Sequence, residues 1–179
     1  MVIALEWKVI YLMNKNNKTI ELVQTAFFTA VVAVLTIIIA IPTGVGYINL
    51  SDIIIVLIAF ALPIKRSMFI ASVGCCITDF YLGFLSYSLF TIVIKAIMVY
   101  VAYHLYKNKK NYMGAFIFTE IIMLLGYGIT DVILTSKYEY FIISITNNMV
   151  QAVFSIIAGC LLYNAFKKYI DRDSVYGTK

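Results

Sequence analysis

The stretch Leu89-Phe-Thr-Ile-Val-Ile-Lys-Ala-Ile-Met-Val-Tyr-Val-Ala-Tyr-His-Leu-Tyr106 is charge-free except for Lys95. As a helix it would reach about 27 Å at 1.5 Å per residue, close to the ~30 Å of a bilayer's hydrocarbon core. A charged side chain near the bilayer centre costs ~3 kcal/mol even on the lenient insertion scale, so Lys95 calls for a partner or a function. Tyr87 and Thr91 precede it at helical spacing. Glu120, Asp131, Asn148 and Gln151 answer it from later apolar stretches.

The rest of the chain agrees with a membrane setting. Of its 179 residues 63% are hydrophobic and only 13% charged, and the mean hydropathy is +0.94, outside the range of soluble domains. Six apolar spans can be read: Leu22 to Ile41, Ile48 to Leu62, Met68 to Leu85, Leu89 to Tyr106, Tyr112 to Leu134 and Phe141 to Phe166. The second is short and edged by Gly and Asn, so it can tilt, break or cross only in part. The expected fold is all-α, a polytopic six-helix bundle over residues 20–167, with an N-terminal segment 1–19 and a C-terminal tail 168–179.

Charge placement tests that count independently. Lys8, Lys15 and Lys18 precede span one, Lys65 and Arg66 separate spans two and three, and Lys107, Lys109 and Lys110 separate four and five. Lys167, Lys168, Arg172 and Lys179 follow span six. All of these fall on one side, whereas the connections Pro42 to Tyr47, Ser86 to Ser88 and Ser136 to Tyr140 hold only Lys137. The positive-inside rule then puts both termini in the cytoplasm of a bacterial cell membrane. The net charge of +5 reads as anchoring charge at a membrane face, so no nucleic-acid partner is expected.

Other features are subsidiary. Glu6 and Lys8 interrupt the short apolar N-terminus, and no cleaved leader is expected. Cys75, Cys76 and Cys160 show no CxxC or Cys/His pattern and read as packing residues, with no metal, cofactor or disulfide implied. His104 reads as an interfacial residue. Tyr100, Tyr103, Tyr106, Tyr112, Tyr138, Tyr140 and Tyr163 gather near span ends, as interfacial aromatics do. Short connections and only two prolines, Pro42 and Pro63, point to one compact domain.

Depth arithmetic brings the polar residues together. Lys95, eight residues beyond Tyr87, lies ~12 Å below the outer boundary. Glu120, Tyr127 and Asp131 share a stripe of span five, Asn148 and Gln151 one of span six, and Ser72, Cys75 or Cys76 and Asp79 one of span three. Asn49 and Asp52 open span two. Polar stripes turn away from lipid, so they should converge on a cavity open to the outside. The plainer alternative is that these residues only join helices, with Lys95 paired to Glu120 or Asp131. On span one, Ala26, Ala30 and Ala33 form a small-residue face that lets another helix approach closely.

The ordered series Ile41-Pro-Thr-Gly-Val-Gly-Tyr-Ile-Asn-Leu-Ser-Asp52, Asp79 before Leu82-Gly83, Thr91-Ile-Val-Ile-Lys95, Gly126-Tyr127 and Asn148-Met-Val-Gln151 resembles the substrate-binding S components of energy-coupling factor (ECF) transporters. More narrowly, it is similar to the branch associated with pyridoxine and hydroxymethylpyrimidine. The likeness covers about residues 20 to 165. Ser51 stands where that pattern commonly has Gly, and Asp131 where it has Glu. The resemblance implies a six-helix protein that captures a vitamin-like substrate from outside and topples in the membrane. Its implied partners are a transmembrane coupling subunit, docked through Ala26-Phe-Phe-Thr-Ala30, and two cytoplasmic ATPase subunits. No GxxxxGK[ST] phosphate loop occurs here, so no ATPase activity is expected of this chain.

On that reading Gly44 and Gly46 give the Pro42 to Asn49 segment the freedom of a lid, and Tyr47 and Tyr127 stack on a flat ring. Asn49, Asp79, Tyr87, Thr91, Lys95, Asp131, Asn148 and Gln151 complete the expected site, the amides facing ring nitrogens or hydroxyls. A proton- or cation-coupled carrier using Lys95, Glu120 and Asp131 as a relay is the runner-up, though no inverted repeat is evident. A membrane-embedded enzyme would need an activated nucleophile or metal cluster, and neither is found.

Overall fold

A computed structural model describes residues 18–42 and 47–176. The expected lid glycines Gly44 and Gly46 lie outside the described residues. Among the described residues there are six α-helices: α1 (Lys18–Ile38), α2 (Ser51–Ala61), α3 (Ile64–Leu82), α4 (Ser88–Lys109), α5 (Tyr112–Thr135) and α6 (Glu139–Tyr176). Strand β1 (Ile41–Pro42) pairs antiparallel with β2 (Tyr47–Ile48), Ile41 opposite Ile48 and Pro42 opposite Tyr47. A single 3-10 turn, Leu85–Tyr87, leads into α4.

The all-α expectation matches this architecture, but the helices are unequal. Four segments are long and apolar enough to cross a membrane: Lys18–Ile38, Leu85–Lys109, Tyr112–Thr135 and Glu139–Lys168. Helix α3 has the length but carries Lys65, Arg66 and Asp79. Helix α2, with 11 residues, reaches only about 16 Å, roughly half the hydrocarbon thickness. Helix α6 runs on to Tyr176, so most of the expected tail continues the last helix.

The short α2 is the centre of the bundle. Its sequence Ser-Asp-Ile-Ile-Ile-Val-Leu-Ile-Ala-Phe-Ala is apolar on every side beyond the first turn, and such a helix is stable only when surrounded. It packs against all five other helices, and Ile55, Val56, Ala59 and Phe60 are essentially inaccessible. Phe60 stacks on Tyr106, with centroids 4.1 Å apart, and meets Phe116 and Tyr163 edge-on. Tyr106 and Tyr163 are therefore core residues and not interfacial ones, their hydroxyls 3.3 Å apart. Tyr138, by contrast, is exposed.

Tight caps bring consecutive helices side by side. Gly83, at φ 84°, ends α3 in the left-handed conformation, where the Phe84 N–H donates to the Asp79 carbonyl at 2.8 Å; this is a glycine-favouring helix stop. Asn111 opens α5 by accepting the Gly114 N–H at 2.8 Å. Helix α1 packs on α3, where Thr78 Oγ1 donates to the Ala33 carbonyl at 3.2 Å and the Arg66 guanidinium reaches Thr25, Gln24 and the Glu21 carbonyl. The alanine face divides accordingly. Ala26 and Ala30 are exposed, but Ala33 is buried in this contact and is not part of an accessible docking face.

Candidate functional site: a polar cleft above a buried ion pair

Asp52 occupies the first turn of α2, where a helix N-terminus favours negative charge. It is wholly buried and forms an ion pair with the equally buried Lys95 of α4. The expected partners Glu120 and Asp131 are not the ones that Lys95 takes. The second Asp52 oxygen accepts from Gln151 Nε2 of α6 at 2.7 Å. Gln151 Oε1 in turn accepts the backbone N–H of Asn49 at 2.8 Å. Asn49 Oδ1 then accepts both the N–H and the hydroxyl of Ser51, at 3.1 and 2.6 Å, closing an Asx-type turn into α2. One polar chain thus ties α4, α2, α6 and the end of β2. The Lys95 ammonium also lies 5.6 Å from the Tyr127 ring centroid, within cation–π reach.

Over this floor opens a cleft of about 510 Å³, its mouth included. One wall is aromatic: Tyr47 and Phe84 have centroids 5.3 Å apart, and Phe84 meets Tyr87 edge-on at 6.0 Å. Each tyrosine hydroxyl is anchored to a carboxylate, Tyr47 to Asp79 at 2.7 Å and Tyr87 to Asp131. Burial, with Tyr127 and Asp79 nearby, pushes the Tyr47 phenol up from its ordinary value, so it stays a neutral donor. Helix α6 contributes Ser144, Asn147, Asn148 and Gln151 to the lining. Asn148 Nδ2 donates to the Ser144 carbonyl at 3.0 Å, and its oxygen has no protein donor among the described bonds.

Eight of the ten residues expected at the site line this cleft: Tyr47, Asn49, Asp79, Tyr87, Tyr127, Asp131, Asn148 and Gln151. Thr91 and Lys95 do not. Both are buried beneath it, Thr91 accepting from the Tyr127 hydroxyl at 3.3 Å. Tyr127 is therefore held from below by a hydroxyl as well as by Lys95. Sequence reading missed Phe84, Ser144 and Asn147. Phe84 follows the Gly83 stop and could have been found there; Ser144 lies one turn before Asn148, on the stripe already identified. Glu120 is buried beside Ser155, within electrostatic reach of Asp52 and Lys95, and does not line the cleft. No cluster of three or more His, Cys, Asp or Glu that could hold a metal is found among the described residues.

The family model described as the S component of ECF-type riboflavin transporters matches residues 16–168. The chain belongs to the ECF S-component family. A protein of Pyrococcus woesei, described as an uncharacterized protein in a gap 3′ region, is 33% identical over 135 residues, covering 74% of this chain and 90% of that protein. Family membership makes the chain a substrate-binding subunit of an ECF transporter, not an enzyme, and with four span-capable helices it is a multi-pass membrane protein. An S component takes a vitamin-like substrate and works with an ECF module. The match is to the riboflavin-type description, not to the pyridoxine and hydroxymethylpyrimidine branch that the residue series resembles.

Proposed function

We propose that this S component captures a neutral, flat, hydroxylated nitrogen heterocycle in the cleft, from outside a bacterial cell, for ATP-driven import. The observation that carries the reading is the composition of the lining: the aromatic rings of Tyr47, Phe84 and Tyr87 together with hydroxyl and amide groups at Ser144, Asn147 and Asn148. Rings take up a planar ligand, and the amides offer paired donors and acceptors to ring nitrogens and hydroxyls. Among the described residues that line the cleft there is no Lys or Arg to select a polyanion, and Asp79 and Asp131 each hold a tyrosine hydroxyl.

All six helices are embedded in this reading, α2 buried inside the others. The lysine-rich ends face the cytoplasm together with both termini, and the cleft faces outward. Ala26 and Ala30 dock on a transmembrane coupling subunit, which two cytoplasmic ATPases drive. Two ligand chemistries have specific support. The family description favours riboflavin; the series Thr91-Ile-Val-Ile-Lys95 and Asn148-Met-Val-Gln151 favours a single ring such as pyridoxine or hydroxymethylpyrimidine.

Mass spectrometry of small molecules released from gently solubilised protein separates them. A flavin mass supports the first, a pyridine or pyrimidine alcohol the second. Finding neither, together with no binding of added riboflavin or pyridoxine, overturns the assignment.

A further inference from the structure

The polar chain under the cleft has a fixed direction. Lys95 can only donate, so it holds Asp52 as its acceptor, and the two are 0% exposed. The remaining Asp52 oxygen can only accept, and this dictates which end of the Gln151 carboxamide faces it. Nε2 turns to Asp52 at 2.7 Å, leaving Oε1 to receive the Asn49 N–H at 2.8 Å. Reversing the amide would set two acceptors against each other and two donors together. Both ends of Gln151 are thus committed inside the protein, though its edge reaches the cleft, and Lys95 is absent from the cleft walls altogether.

From this geometry we propose that Lys95, Asp52 and Gln151 are positioning residues: they lock the Tyr47–Asn49 segment across the cleft and influence ligand affinity through it, without touching the ligand. Asn49 is the link. Its N–H is held by Gln151, its side chain closes the Asx turn into α2, and two residues earlier Tyr47 forms part of the aromatic wall with its hydroxyl on Asp79. Among the described residues, β2 is otherwise tied by its two-residue pairing with β1 and by the Phe84 ring against Tyr47. The ligand part of this proposal rests on the cleft being the substrate site; the locking of Asn49 does not.

The test exploits polarity. Lys95→Met removes the group that fixes Asp52 as an acceptor. Asp52→Asn combined with Lys95→Met restores a neutral acceptor for Gln151 Nε2 with no charge left uncompensated. Amide hydrogen exchange at Asn49 is measured on the full chain in lipid nanodiscs, for wild type, Lys95→Met, Gln151→Leu and the double variant. Exchange at Asn49 rises about ten-fold in both single variants and returns to within about three-fold of wild type in the double variant, as expected for loss and recovery of one protecting bond. No rise in the single variants, or a double variant as fast as Lys95→Met, overturns the proposal.

In a second arm, riboflavin and pyridoxine are titrated separately as probes. Affinity that follows the Asn49 amide, lost with Lys95→Met and regained in the double variant, supports positioning. A double variant that protects Asn49 yet binds as weakly as Lys95→Met makes Lys95 a ligand contact and overturns it. Should wild type bind neither probe, the substrate reading fails by itself, and amide exchange still decides whether the chain locks Asn49.

Discussion

Replacing Gly159 by alanine tests the register in which α5 and α6 cross, which sets the distance between Tyr127 and Asp131 on one helix and Asn148 and Gln151 on the other. A Cβ at Gly159 would lie 2.2, 2.6 and 2.7 Å from Cε1, Cζ and Cδ1 of Phe116, where carbon atoms ordinarily approach to ~3.5–4.0 Å. The Phe116 ring is fully buried, edge-on to Phe60 at 5.8 Å, and Phe60 is itself stacked on Tyr106. It cannot swing clear without moving the aromatic core. Overpacking of this kind costs ~1–3 kcal/mol, and the better helix propensity of alanine returns at most ~1 kcal/mol. Because the ring must retreat by roughly 1 Å or more, a net loss of ~1–2 kcal/mol is expected. For a chain of this size that lowers the melting temperature by about 2–8 °C. Thermal unfolding of detergent-solubilised protein, followed by far-ultraviolet circular dichroism, reads the change, and Phe116→Leu added to Gly159→Ala should recover most of it. A Gly159→Ala protein that melts at or above the wild-type temperature would refute this crossing geometry.

Three further outcomes concern the cleft and the docking face. Asn148→Leu should weaken ligand binding ~5–30-fold, the value of one or two kcal/mol for a lost hydrogen bond in a desolvated site, as read by isothermal titration. Phe84→Ala should weaken binding of a planar ligand several-fold, since one aromatic contact contributes ~0.5–1.5 kcal/mol beyond its area, while Phe84→Tyr keeps wild-type affinity; equal affinities in all three proteins would remove Phe84 from the site. Ala26→Trp with Ala30→Trp should preserve ligand binding and abolish coupled uptake, whereas Ala33→Trp, buried against α3, should lower yield and melting temperature. Unimpaired transport by the first variant would rule out docking through α1.

Much of this was legible in the sequence because lipid makes sequence patterns simple. A bilayer penalises every exposed charge, so Lys95, Asp131, Asn148 and Gln151 had to face inward, and helical spacing then collected most of the cleft. Pairing was harder. Spacing along a helix gives a direction but no azimuth relative to its neighbours, so Lys95 could be matched to Glu120 or Asp131 while its real partner, Asp52, stood on the short helix whose central position the sequence did not reveal. The same limit hid the burial of Ala33, which depends on α3 lying against that part of α1 and leaving Ala26 and Ala30 free. Tyr106 and Tyr163 followed the interfacial rule by position but pair their hydroxyls inside the bundle. Phe84 was missed because apolar residues near a span end are ordinarily lipid-facing; the Gly83 stop turns this one toward the cleft.

The most direct measurement is uptake of labelled riboflavin and pyridoxine into proteoliposomes holding this chain together with an ECF module, with and without ATP on the module's nucleotide-binding side. The account predicts accumulation of one of the two compounds that requires ATP and is reduced by Asn148→Leu at sub-saturating substrate. Accumulation driven by an imposed ion gradient in the absence of ATP, or unchanged by Asn148→Leu, would contradict it.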